Sequence, residues 1–222
     1  HDLIREAMIK TDVNKGVEIT TLADIPSEGS GLGSSSSVIV GLLNALYAYK
    51  GVLVTSDQLA KEACEIEIDI LQKPMGKQDQ YLAVFGGFLV MEIDRDGHVN
   101  VSNADVSIAT IDELKKNMLI FYTGKQRQNK QILSEQDKAT KRNEKQVLES
   151  LHYIKESGYK ILEIVESGNI TDLGIMFDEH WERKKKMSKN SKIRRIAFGL
   201  RCVQMLRVKW YGACFQMSLD LF

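Results

Sequence analysis

The stretch Pro26-Ser27-Glu28-Gly29-Ser30-Gly31-Leu32-Gly33-Ser34-Ser35-Ser36-Ser37 runs directly into Val38, Leu42, Ala45, Leu46 and Tyr49, apolar residues at three- and four-residue spacing. That spacing predicts an amphipathic helix ending at Gly51. Three glycines within five residues let the backbone reach conformations closed to other residues and let its N–H groups approach a ligand closely. The serines fall at the helix start, where unpaired N–H groups and the positive end of the helix dipole favour an anion. A flexible Gly/Ser linker is the competing reading, but linkers do not usually open into so regular an apolar helix. The segment therefore reads as a phosphate cradle built from Gly29, Ser30, Gly31, Leu32, Gly33, Ser34, Ser35 and Ser36. It is not a Walker A loop, because no Gly-Lys-Ser/Thr follows, so another group must replace the lysine that reaches the phosphates. The Ser34 and Ser35 hydroxyls are placed to reach a phosphate-bound magnesium, which takes few protein ligands.

Outward from the cradle, Val17 to Leu22 reads as a strand, with Pro26 and Gly29 ending any regular element. Thr55 and Gln58 have capping-box spacing before a second helix carrying Leu59, Ala63, Ile66 and Ile70, which stops before Pro74. Phe88 to Ile93, the Asp94-Arg95-Asp96-Gly97 turn and His98 to Val101 predict a β-hairpin. Met118 to Tyr122 is a further strand-like run. From Arg127 to Lys189 the chain is mainly helical, with Leu148, Leu151 and Ile154 in one helix and Leu173, Met176, Phe177, His180 and Trp181 in another. His180 and Trp181 share a face with Phe177 and read as core. The expectation is an α+β protein in two halves, divided near Thr110 to Lys116.

Phosphoryl transfer to a hydroxyl needs a cradle, a metal and a carboxylate that takes the hydroxyl proton. Glu67 follows Ala60 and Cys64 and precedes Leu71 at spacings of four, three and four, so it shares a stripe with small or apolar residues. A carboxylate there is partly desolvated unless it meets a cation; a solvated helix-face glutamate is the alternative. Asp79 lies in Pro74-Met75-Gly76-Lys77-Gln78-Asp79-Gln80-Tyr81, followed by Phe85-Gly86-Gly87, polar groups set among glycines and aromatics.

Composition narrows the remaining classes. The 222 residues carry 30 Lys+Arg against 30 Asp+Glu and are 43% hydrophobic, long enough for a proper core. Zero formal net charge gives no electrostatic case for a nucleic acid or an anionic membrane as main partner. No apolar run approaches the roughly 20 residues of a membrane span, and the start is not a signal peptide. A cytoplasmic protein is expected. Cys64, Cys202 and Cys214 are widely spaced without a Cys-x-x-Cys pair, which suggests buried thiols rather than a disulfide framework or a zinc site.

Together these residues resemble the GHMP kinases. The Pro26 to Ser37 segment is similar to that family's second motif, the loop that wraps ATP phosphates. Glu67, Pro74, Gly76, Asp79 and Gln80 reproduce the spacing of a glutamate, a proline and a Gly-x-x-Asp-Gln pattern seen in galactokinase-like members. The resemblance implies an α+β, two-domain GHMP kinase fold, with a ribosomal protein S5 domain 2-like N-terminal half and a ferredoxin-like C-terminal half, incomplete at both ends. It implies ATP and Mg²⁺ as cofactors, Ser34, Ser35 and Glu67 on the metal, and Asp79 as the base or orienting carboxylate for the acceptor hydroxyl.

Within the family, Gly31 to Ser37, Gly41 to Tyr47, Gly76 to Tyr81, Phe121-Tyr122-Thr123-Gly124 with Arg127, and Glu179-His180-Trp181-Glu182 resemble the D-glycero-D-manno-heptose 7-phosphate kinases. The activity implied is phosphoryl transfer from ATP to the anomeric hydroxyl of that sugar phosphate. Another sugar kinase, for fucose or an N-acetylhexosamine, and a non-catalytic nucleotide- or sugar-binding paralogue are the alternatives. Lys77 and Arg127 read either as contacts to the sugar phosphate or as solvated surface charges. Sugar phosphate and ATP are the expected partners, with a homodimer allowed and no nucleic acid or membrane.

The likeness covers residues 1 to 190. Residues 1–112 are expected to be the remainder of the ATP-binding domain and 113–190 the C-terminal domain. The family's first and third Gly-rich motifs are missing, and 191–222 form an atypical tail. With permitted codons, shifting the frame under Leu206 to Tyr211 can encode a Ser-Gly-Lys-Val-Val string of the kind the family carries before its third motif. A frameshifted tail, an N-terminal fragment and poor activity are therefore expected.

Overall fold

The computed structural model describes residues 2–22, 33–118, 142 and 145–186. They fall into two compact units, one up to Leu89 and one from Val90 onward. The sequence boundary at 112/113 thus lies inside the second unit.

In the first unit, α1 (Asp2–Thr11), α2 (Ser34–Tyr49), α3 (Ser56–Cys64) and α4 (Gln78–Phe85) pack around one apolar centre. Leu3, Ala7, Val13, Ile39, Leu43, Leu46, Leu59, Ala63 and Ile66 fill it. The expected α2 helix is present, but its buried stripe is Ser36, Ile39, Val40, Leu43 and Leu46. Ala45 and Tyr49, read from the sequence as core-facing, are exposed. The helix is apolar on nearly every side, so periodicity alone does not fix which face turns inward. It ends in a Schellman motif: the Gly51 amide donates to the Ala48 carbonyl and the Val52 amide to the Tyr47 carbonyl, with Gly51 at φ +69°.

Thr55 caps α3 as its spacing predicts, its side chain accepting from the Gln58 amide at 3.2 Å, while the Gln58 side chain donates to Glu62 at 2.9 Å. The helix it starts is not α-helical throughout. From Glu65–Ile70 the chain winds as a π-helix, the Leu71 amide reaching back five residues to the Ile66 carbonyl at 2.9 Å. The wider turn rotates the stripe: Leu59, Ala63 and Ile66 are buried as expected, whereas Ile70 is 45% exposed. Val17 to Leu22 is not a strand; no neighbouring strand lies beside it among the described residues, and a strand needs a partner for its ladder.

In the second unit, β1 (Leu89–Ile93) and β2 (Val99–Asn103) form the expected hairpin, the described residues' only sheet. Asp94 shapes its turn, Oδ1 accepting from the amides of Asp96 at 3.0 Å and His98 at 2.9 Å. Helix α5 (Ile108–Asn117) is capped by Ser107. Helices α6 (Lys145–Ser167) and α7 (Ile170–Lys186) pack along each other, burying Ile154, Ile161 and Val165 with Ile170, Leu173 and His180. Gly168 joins them at φ +77°, and a Cβ there would stand 3.0 Å from Thr110 Oγ1, so the position requires glycine. Most of Met118 to Tyr122, the Trp181 side chain and the tail after residue 190 lie outside the described residues.

Candidate active site

Helix α2 begins at Ser34 with Gly33 as its N-cap residue, at φ +67° and ψ +19°. Gly33 accepts the first helical bond, from the Ser37 amide to its carbonyl at 2.9 Å, yet it offers no side-chain oxygen to the remaining amides. No acidic residue occupies the first turn. The positive end of this sixteen-residue helix therefore receives neither a cap from Gly33 nor an acidic residue from its own first turn.

Beneath that first turn lies Glu67, fully buried at 0% exposure. The π winding turns it inward, onto the stripe of Ala60 and Cys64, as the spacing implied. Four donors meet its two oxygens. Oε1 receives the Ser35 hydroxyl and the Lys73 ammonium, the latter at 2.8 Å; Oε2 receives the Ser36 hydroxyl at 2.7 Å and the Gln80 side-chain amide at 2.6 Å. Burial pushes the carboxyl's pKa up, but the hydrogen bonds from Lys73, Ser35 and Ser36 and the Lys73 charge outweigh it and hold it below the usual carboxylate range. Glu67 is ionised, desolvated and bound to a cation, not a solvated surface glutamate.

Lys73 was not legible as part of this site. After the π-helix the chain turns back at Gln72, φ +50°, and the Lys73 amide donates to the Glu67 backbone carbonyl at 3.0 Å. The same turn returns the side chain to the Glu67 carboxylate and to Ser35 Oγ, 2.7 Å from Nζ. Its position directly before Pro74 was the available signal, since a residue before proline is held extended. Gln80 is fully buried, and its Oε1 has no hydrogen-bond partner among the described residues.

Asp79 stands in the first turn of α4, against the mouth of α2: a Cβ placed on Gly33 would lie 3.8 Å from its Cγ. Helices α2 and α4 pack directly, which holds the two N-terminal ends together. Lys77 is the N-cap residue of α4, with its side chain half-buried. Its carbonyl faces Cys64 Sγ at 3.9 Å. Burial drives the Cys64 thiol up to about 12. The structure thus gathers Gly33, Ser35, Ser36, Glu67 and Asp79 around one point, with Ser34 on the same turn. Gly29, Ser30, Gly31, Leu32 and Arg127 lie outside the described residues.

A helix N-terminus with a glycine N-cap, a buried carboxylate paired with a lysine ammonium and a second carboxylate across from that glycine thus meet in the first unit. Residues 2–87 match the family described as GHMP kinases N terminal domain, nearly the span of the first unit. Those residues carry a GHMP kinase N-terminal domain, and the fold is similar to that of a solved sugar-phosphate kinase. It is 33% identical over 179 residues to the D-glycero-alpha-D-manno-heptose 7-phosphate kinase of Campylobacter jejuni, covering 79% of this chain and 52% of that protein. It is 28% identical over 178 residues to the L-fucokinase/L-fucose-1-P guanylyltransferase of Bacteroides fragilis, covering 79% of this chain and 18% of that one. A crystal structure described as a D-glycero-D-manno-heptose 1-phosphate kinase from Bacteriodes thetaiotaomicron superposes with a TM-score of 0.68 at 28% identity, over 86% of this chain and 56% of that one. The chain spans about half the length of the heptose kinase relatives it matches.

Proposed function

We propose that this chain belongs to an ATP-dependent sugar kinase that transfers the γ-phosphoryl group to the anomeric hydroxyl of D-glycero-D-manno-heptose 7-phosphate. The single observation that carries this reading is the meeting of the α2 N-terminus, with its glycine N-cap, and Asp79 at Gly33. Phosphates held on the amides of Ser34 to Ser36 would present the terminal phosphoryl group to a hydroxyl whose proton Asp79 accepts. As the new P–O bond forms, the bond to the ADP oxygen breaks and ADP departs with the electron pair. Fixing both reactants at two helix ends packed together supplies the positioning on which such transfer depends.

The donor set suits magnesium in kind. Ser35 Oγ and Glu67 Oε1 are hard oxygens, and they already take a cation, the Lys73 ammonium. Ser34, Ser35 and Glu67 are the residues that would hold Mg²⁺. When bound, the ion neutralises charge on the phosphate oxygens. Lys77, at the start of α4, and Arg127 are assigned to the phosphate of the acceptor. Residues 1–112 and 113–190 are proposed as the two kinase domains. A cytoplasmic location goes with these substrates, and no helix among the described residues is long and apolar enough to cross a membrane.

The test is ADP release with Mg-ATP across a sugar panel that includes D-glycero-D-manno-heptose with and without its 7-phosphate, and L-fucose. Turnover on the heptose 7-phosphate alone is the expected result. Preference for L-fucose would transfer the assignment to the second class of relative, and nucleotide binding without transfer to any sugar would make the chain a binding protein.

A further inference from the structure

The two oxygens of an ionised carboxylate offer about four lone-pair sites. At Glu67 four donors take them: the Ser35 and Ser36 hydroxyls, the Lys73 ammonium and the Gln80 amide. A metal ion reaches this carboxylate only when one of the four leaves. We infer that Lys73 is an exchangeable internal cation of this site, which Mg²⁺ must displace to reach Ser35 and Glu67, a role that rests on the assignment of Mg²⁺ to those two residues. Nζ lies 2.7 Å from Ser35 Oγ and 2.8 Å from Glu67 Oε1, so the ammonium already bridges the two oxygens that the ion would share. Two cations competing for the same oxygens also repel each other.

The other donors are poorly placed to leave. Ser36 and Gln80 are fully buried, and a hydroxyl or amide withdrawn from Glu67 there would stay inside without a partner. Ser35 is itself assigned to the ion. The Lys73 side chain keeps 28% exposure while that of Glu67 keeps none, and its four-carbon stem can carry the ammonium out to water. Its backbone is held independently of that movement: the Lys73 amide donates to the Glu67 carbonyl at 3.0 Å, and the Lys73 carbonyl accepts from the Met75 amide at 2.9 Å. Exchange is therefore a rotation of one side chain, with the turn after the π-helix left in place. Glu67 passes from one cation to the other and avoids the cost of an unpaired buried charge.

The experiment measures cation binding to the full 222-residue chain without nucleotide or sugar. Mn²⁺ is the probe, because the paramagnetic resonance signal of the free ion is lost when it binds, and Mg²⁺ is added to compete it off. Lys73→Met is expected to bind Mn²⁺ about 10- to 100-fold more tightly than wild type, with Lys73→Arg close to wild type. Adding Glu67→Gln to Lys73→Met should abolish the gain. Equal or weaker affinity in Lys73→Met, or a gain that survives Glu67→Gln, overturns the inference and leaves the kinase reading standing. If Lys73→Met does not fold, the wild-type chain decides through acetylation of its lysines with an activated acetate ester, mapped on peptides. Excess Mg²⁺ should raise labelling of Lys73 several-fold and leave exposed Lys115 unchanged; unchanged or reduced labelling of Lys73 overturns the inference. Absence of Mn²⁺ binding in both wild type and Lys73→Met removes the metal assignment and the inference together, while ADP release still tests the sugar-kinase reading.

Discussion

Gly33 and Asp79 face each other across the α2–α4 junction, with Asp79 Cγ 3.8 Å from the point a Gly33 Cβ would occupy. Gly33 is the N-cap residue of α2, and Asp79 lies in the first turn of α4. They lie forty-six positions apart in sequence, and the packing of α2 against α4 brings them together.

Gly33→Ala is expected to destabilise the protein by about 1–2 kcal/mol, the cost of holding a residue with a Cβ in the left-handed region. The added methyl group would make only ordinary contact with Asp79, so strain at φ +67° rather than a clash sets the cost. Urea unfolding checks this: a lower midpoint at unchanged slope is the expected result, and an unshifted midpoint would show that the α2 entry relaxes freely.

Replacing Asp79 by asparagine keeps the shape of the α4 entry and removes the proton acceptor. Turnover on the sugar phosphate should fall by about 10²–10⁴ while nucleotide affinity stays within a few-fold. Full turnover in Asp79→Asn would remove Asp79 from proton transfer, and an equal fall in nucleotide affinity would make it a binding residue.

The buried Glu67 carboxyl has a pKa below its unfolded value of 4.5. Its stabilising contribution is fully present above pH 4.5 and is lost as the pH falls through the lower, folded value. Glu67→Gln should therefore be less stable at neutral pH, by up to about 3 kcal/mol because Lys73 remains partly solvated, and show a shallower loss of stability below pH 4.5. Thermal melting between pH 3 and 7 distinguishes this from a variant that merely lowers the whole curve.

Cys64 behaves in the opposite sense. Its thiol, raised from 9.0 to about 12 chiefly by burial, stays protonated in the folded chain where an unfolded chain ionises. Stability should fall as pH climbs from 9 towards 12. At pH 8, alkylation of Cys64 by iodoacetamide, followed by peptide mapping, should be at least about 100-fold slower than in urea. Comparable rates would mean that the core around α3 opens readily.

Much of both units was legible because their punctuation is local. Gly33 and Gly51 bracket α2, Thr55 caps α3, and Asp94 with Gly97 turns the hairpin; each acts on the backbone within a few residues. Glu67 was legible as a desolvated carboxylate because Ala60 and Cys64 share its face. The π winding was not, since it differs from an α-helix by one residue per turn and no composition marks it. That winding in turn hid Lys73, whose partnership with Glu67 depends on a reversal at Gln72 that helical spacing does not express. The inward face of α2 was misread for a different reason: with apolar residues on most sides, only its neighbours α1 and α4 decide which of them is buried.

The most direct test of the central claim, that the α2 mouth with Glu67 and Asp79 binds nucleotide phosphates, is calorimetric titration of the chain with the magnesium complex of a non-hydrolysable ATP analogue, in wild type and Ser35→Ala. The account predicts one site per chain, weakened about 5- to 10-fold when the Ser35 hydroxyl is removed. No binding in the wild type, or binding indifferent to Ser35, would contradict it.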